Sequence, residues 1–148
     1  MKKHRLISIV SIAVILLLAI SSTGCTEKPA SHGVTVTDYV SLVDTLRAAG
    51  ATVEPKTELE QPFFSVKGQM ITVNGNDVQV YEYQDAAAAD AEAQLVSPDG
   101  STVGTTKITF VAPPHYYKAG KLIVLYVGQN GDLLDLLEDV LGSPFAGR

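Results

Sequence analysis

Cysteine is almost absent from this chain: Cys25 is the only one in 148 residues. An intramolecular disulfide is excluded, and the core must hold unaided even in an oxidising compartment. Histidine is scarce too, and with His4 in the basic N-terminal stretch only His32 and His115 remain. No Gly-x-Ser-x-Gly turn, no second thiol and no His-x-x-His or His-x-x-x-His spacing occurs. A nucleophile with its base and a zinc site both lack their parts, so no catalytic residue and no metal ligand is assigned. Glycines fall singly at turn positions, without Gly-x-Gly-x-x-Gly or Walker spacing, and no nucleotide or other cofactor is expected. Asn74-Gly75-Asn76-Asp77 and Asn130-Gly131-Asp132 are rich in oxygen but lack the alternating ligands and closing Glu of a calcium loop; a turn and a helix cap account for them.

Positive charge is the next shortage. Lys and Arg number 11 against 16 Asp and Glu, and three of the basic residues, Lys2, Lys3 and Arg5, stand at the N-terminus. If that end is removed, the remainder is more acidic still. Such a surface repels nucleic-acid phosphates and anionic headgroups, so no nucleic acid partner is expected and any membrane attachment must come through lipid.

Long apolar runs are missing as well. Leu6 to Ile20 is apolar apart from Ser8 and Ser11, but Ser21 and Ser22 interrupt it. It falls short of the roughly 20 residues needed to cross a bilayer, and with the basic residues before it reads as an export signal. The segment Ser22-Thr23-Gly24-Cys25 closes that run and resembles the lipobox of bacterial lipoproteins, departing from it at Ser22, where Leu is usual. The resemblance implies that residues 1–24 are a signal peptide and that Cys25 takes a diacylglyceryl group and becomes the first residue after cleavage. At about 0.8 kcal/mol per buried methylene, one acyl chain is marginal and two suffice to hold a protein on a membrane. Residues 25–33 then form the lipidated cysteine and a polar tether, and 34–148 a single domain of α+β class.

Within that domain, Tyr39, Leu42, Val43, Leu46 and Ala49 recur at helical spacing between Thr37 as cap and Gly50 as stop. Ala51–Glu54 reads as a short strand ended by Pro55, and Lys56–Pro62 as a loop. Ile71, Val73, Val78 and Val80 flank an Asn74-Gly75-Asn76 turn and predict a β-hairpin with all four on one face, whichever two residues make the turn. Asp85–Val96 predicts an alanine-rich helix with Ala88, Ala91 and Leu95 on its inner stripe, closed by Ser97-Pro98-Asp99-Gly100. Lys107–Val111 alternates as a strand with Ile108 and Phe110 inward, and Leu122–Val127, apolar throughout, should be the central strand. Asp132 caps a last helix carrying Leu133, Leu136, Leu137, Val140 and Leu141, stopped by Gly142 and Pro144.

The expected order is α-β-(ββα)-(ββα): a two-layer sandwich of a mainly antiparallel sheet, four to five strands with about three helices. Its core face would hold the four hairpin aliphatics with Ile108, Phe110, Ile123, Leu125 and Val127. The other face would carry Tyr81, Tyr83 and Tyr126, with Tyr116 and Tyr117 on a nearby loop. Tyrosines pair a flat apolar body with a polar tip, so these five and His115 form a candidate binding surface for a peptide, a glycan, an envelope protein or a second copy, unless a helix covers it. His115, in the loop Pro113-Pro114-His115-Tyr116-Tyr117, is the one residue on which a hydrolase could be built, and no orienting carboxylate is identifiable from sequence.

Through Ala48-Ala49-Gly50-Ala51-Thr52-Val53-Glu54, Gln61-Pro62-Phe63-Phe64-Ser65-Val66, Val96-Ser97-Pro98-Asp99-Gly100-Ser101 and the stretch from Val111 to Gly128, the chain resembles a family of small bacterial lipoproteins. That resemblance implies the class and carries no functional residue with it. The function expected is that of a membrane-anchored envelope lipoprotein, exported and held to the cell membrane or outer membrane with its domain outside the cytoplasm, acting as a non-catalytic binding or accessory module. An envelope-facing hydrolase using His115 is the alternative.

Overall fold

The structure, a computed structural model, describes residues 35–147. The expected signal peptide (1–24) and the expected lipidated cysteine and tether (25–33) lie outside the described residues. Over the described residues the fold is α+β, with a six-stranded, mainly antiparallel sheet and three helices.

The first helix, α1 (Tyr39–Ala48), begins one residue later than Thr37 as a cap predicts. Asp38 is the cap: its carboxylate accepts from the Ser41 amide at 2.9 Å, and the Ser41 hydroxyl oxygen accepts from the Asp38 amide at 3.0 Å. That reciprocal pair satisfies two otherwise orphaned donors, which Thr37 could not do alone. Thr37 serves elsewhere, its carbonyl accepting from the Lys121 amide. Gly50, at φ +91°, supplies the left-handed stop.

Strand β1 (Val53–Leu59) corrects the expected loop at 56–62. The chain runs on through Pro55 because β1 is the sheet's edge, where a residue without an N–H costs no ladder bond. Its pairing slips between Pro55 and Glu58, leaving a bulge. The predicted hairpin is present as β2 (Gly68–Val73) and β3 (Asn76–Glu82), with Val73 opposite Asn76. The turn is therefore Asn74-Gly75, at φ +49° and +81°, the pair of left-handed residues that a tight twisted hairpin demands.

Helix α2 (Ala86–Ala93) is capped by Asp85 as expected but shows a different face. Ala89 is buried, Ala91 is exposed and Leu95 is 49% exposed. A helix of near-uniform alanine has no dominant apolar side, and its neighbours decide how it turns. The expected strand at 107–111 is reduced to a small separate hairpin, β4 (Thr102–Val103) with β5 (Thr106–Lys107). Ile108 and Phe110 still point inward, but from a loop.

Strand β6 (Pro114–Ala119) corrects the predicted loop around His115, with Pro114 at its first position. Strand β7 (Leu122–Val127) lies between β3 and β6, in the interior of the order β1-β2-β3-β7-β6-β8. Helix α3 (Gly131–Leu141) is capped by Asn130 rather than Asp132, the Asn130 side-chain oxygen accepting from the Leu133 amide at 3.2 Å. Gly142, at φ +84°, ends it, and β8 (Ala146–Gly147) closes the sheet against β6.

Register then decides the faces. Val80 sits opposite Val124 and Val78 opposite Tyr126, while Tyr81 sits opposite Ile123. Cross-strand partners share a face. One face therefore carries Ile71, Val73, Val78, Val80, Val124 and Tyr126 under α1 and α3. The other carries Tyr81, Tyr83, Tyr116, Ile123 and Leu125 under α2, the Phe63–Phe64 loop and the small hairpin. This corrects the single core face expected from sequence: Ile108, Phe110, Ile123, Leu125 and Val127 pack on the side opposite the hairpin aliphatics. It also replaces the two-layer arrangement with a sheet that has helix on both faces.

Candidate functional site

The six residues of the candidate binding surface, Tyr81, Tyr83, Tyr116, Tyr117, Tyr126 and His115, are all buried. They do not share a surface. Tyr81, Tyr83 and Tyr116 belong to the α2 face, Tyr117 and Tyr126 to the α1–α3 face. The expected division failed at β7: every residue there is apolar, so the pattern could not say which side Tyr126 takes. These rings are core.

Their contacts explain why aromatic side chains occupy the α2 face. Phe64 lies with its ring centroid 4.7 Å from that of Tyr81, edge to face, and 6.4 Å from those of Tyr83 and Tyr116. Such tilted pairs put the positive ring edge of one partner on the negative face of another. The Tyr81 hydroxyl donates to Gln79 at 2.6 Å and that of Tyr116 to the Gly100 carbonyl at 3.3 Å. The Tyr83 hydroxyl is buried without a partner. Burial pushes the Tyr116 and Tyr117 phenols up to about 12, and those of Tyr81 and Tyr83 further still. None is poised to ionise near neutrality.

His115 shares the α1–α3 face with its cross-strand partner Tyr126, the rings stacked with centroids 6.1 Å apart and planes 21° apart. Its Nε2 lies 3.1 Å from the Gly128 carbonyl oxygen. That oxygen can only accept, so the ring carries its proton on Nε2. The imidazole is thus held between a phenol ring and a main-chain carbonyl. Among the described residues, no cluster of three or more His, Cys, Asp or Glu could hold a metal ion.

What the structure does offer is a shallow groove of about 220 Å³ lined by Tyr39, Glu58, Lys67, Gly68, Gln69, Val80 and Glu82. Its floor follows from register. Glu58 pairs with Gln69 and Gln69 with Val80, so one row of side chains crosses β1, β2 and β3 on the α1 face. Glu82 stands two residues along β3 from Val80 and, by alternation, on the same face, and Lys67, just before β2, reaches the row through its ion pair with Glu58. Tyr39, at the start of α1, closes one side. Lys67 pairs with Glu58 at 2.6 Å and Glu60 at 3.1 Å, and Lys121 pairs with Glu82 at 2.8 Å. Donating to these carboxylates raises the pKa of both ammonium groups.

Sequence reading missed this groove because it made Glu58 part of a loop. The available signal was the alternation Lys56, Glu58, Glu60, which a strand passing through Pro55 would have explained. No known protein family, curated protein or solved structure matches the chain.

Proposed function

We propose that the chain is an exported lipoprotein anchored through diacylglyceryl-modified Cys25, with residues 34–148 acting outside the cytoplasm as a non-catalytic binding or accessory module. The observation that carries this reading is the succession of a basic start, the apolar run Leu6–Ile20 and Ser22-Thr23-Gly24-Cys25. It is compatible with the fold: among the described residues no helix is long and apolar enough to cross a membrane. The non-catalytic half of the reading rests on the burial of the aromatic residues and on the fixed ring of His115, which also weighs against the hydrolase alternative. A peptide, a glycan, an envelope protein or a second copy of the chain is the kind of partner such a module serves.

Metabolic labelling of cells producing the full chain with an alkynyl palmitate tests the anchor. The wild-type protein is expected to take the label and to sediment with membranes, and Cys25→Ser to lose both properties. An unlabelled wild-type protein, or label that survives Cys25→Ser, overturns the proposal.

A further inference from the structure

The groove beside Tyr39 carries charge of both signs within a volume of about 220 Å³. That volume is below the usual range for drug-sized ligands, roughly 300–1,000 Å³, so it suits one small polar group rather than a peptide or an oligosaccharide. Glu58 and Glu82 supply two carboxylates and Lys67 one ammonium, with Gln69 able both to donate and to accept. Tyr39 adds an aromatic ring, whose face attracts cations. The ion pairs already present, Lys67 with Glu58 and Lys121 with Glu82, join groups between 35% and 61% exposed. Exposed pairs contribute little, typically up to about 1 kcal/mol, and can be exchanged for a ligand that offers the same two charges.

We propose that this groove binds a small zwitterion, a primary ammonium held a few bonds from a phosphate or carboxylate oxygen, and that the phosphoethanolamine headgroup of a membrane lipid is its source. The ammonium goes to Glu58 and Glu82 and the anionic oxygen to Lys67. A purely anionic headgroup would meet two carboxylates for one lysine. The choice of a lipid rests on the anchored reading: Tyr39 follows Cys25 by 14 residues, a chain that spans at most about 50 Å when fully extended. The groove is then tied close to the headgroup layer.

The test is a titration of the isotope-labelled full chain, held in non-ionic detergent, followed by the amide resonances of Gly68 and Gln69. Glycerophosphoethanolamine is expected to shift both, whereas glycerophosphocholine, which keeps the cation–π contact with Tyr39 but has no N–H to donate to Glu58 and Glu82, should need at least tenfold higher concentration for the same shift. Lys67→Gln and Glu82→Gln are each expected to weaken binding at least tenfold, with resonances elsewhere unchanged. Absence of any shift with either glycerophosphoethanolamine or glycine, or wild-type affinity in both variants, overturns the site. Binding of glycine without glycerophosphoethanolamine overturns the lipid source and assigns the groove to a free amino acid. Because these ligands are soluble, binding by a chain whose Cys25 fails to take palmitate leaves the site standing and removes only its membrane source.

Discussion

On the α1–α3 face of the sheet the contacts are mostly aliphatic and come from regular helices: Leu42 and Leu46 from one, Leu133 and Leu137 from the other, against Ile71, Val73, Val78 and Val80, with Tyr117 and Tyr126 as the buried aromatic residues. On the α2 face aromatic rings take a larger share, Phe64, Tyr81, Tyr83 and Tyr116 among ten buried residues, and the cover over the sheet comes mostly from irregular chain, with Phe64 in a loop, Phe110 in another and Ala89 as the one buried residue of the helix. Aliphatic side chains interlock with few directional demands, so a helix with the right spacing suffices. Aromatic rings satisfy one another by angle as well as by area, and loops that can adjust their path seat them.

The contrast between the faces is open to direct attack. Phe64→Ala removes the ring that touches Tyr81, Tyr83 and Tyr116 and is expected to cost about 3–5 kcal/mol in urea unfolding, with a loss of near-ultraviolet circular dichroism. Leu137→Ala, fully buried on the other face, should cost about 2–5 kcal/mol while leaving that aromatic signal largely in place. Equal loss of the signal in both variants would mean that the two faces are not separate packing units.

Gly147→Ala probes the seam where the α2 face is tied to the strand edge. Gly147 has φ +80°, and an added Cβ would run into the Pro114 carbonyl. A loss of about 1–3 kcal/mol is expected, together with faster hydrogen exchange at the Phe145 and Gly147 amides, which bond to Tyr116 and Pro98. Unchanged exchange would show β8 to be dispensable.

Tyr83→Phe should do the opposite of the other changes. Its hydroxyl is buried without a partner, and removing it is expected to raise stability by about 1 kcal/mol. A drop instead would reveal a hidden partner for that oxygen.

The smallest effect concerns pH. With Tyr116 and Tyr117 raised to about 12, above the ordinary phenol value of about 10, the neutral form is the one the fold favours. Their contribution is complete below pH 10 and is lost as pH rises toward 12. Phenolate absorbance should therefore lag behind that of free tyrosine over this interval.

The same contrast governs what could be read from sequence. The hairpin, α1 and α3 were legible because their apolar residues repeat at a period of two or at helical spacing. The α2 face was not, because alanine gives a helix no direction, because β7 is apolar on both sides, and because the loop carrying Phe64 has no period at all. Errors at caps were of another kind: Thr37 and Asp132 are competent caps, but Asp38 with Ser41 and Asn130 with Leu133 satisfy the free amides. His115 was placed in a loop because a proline pair preceded it, although proline is admissible at a strand's first residue. The groove at Tyr39 depends on register across three strands, and register there is set by a bulge that no local pattern announces.

Both margins of the sheet are obstructed. β1 is broken by Pro55 and its bulge and bears Glu54, Lys56 and Glu58, while the outer side of β6 begins at Pro114 and is occupied by β8. Neighbouring copies thus find no straight row of free peptide groups to adhere to. Sheet-to-sheet growth through either margin is thereby disfavoured when copies are brought close together.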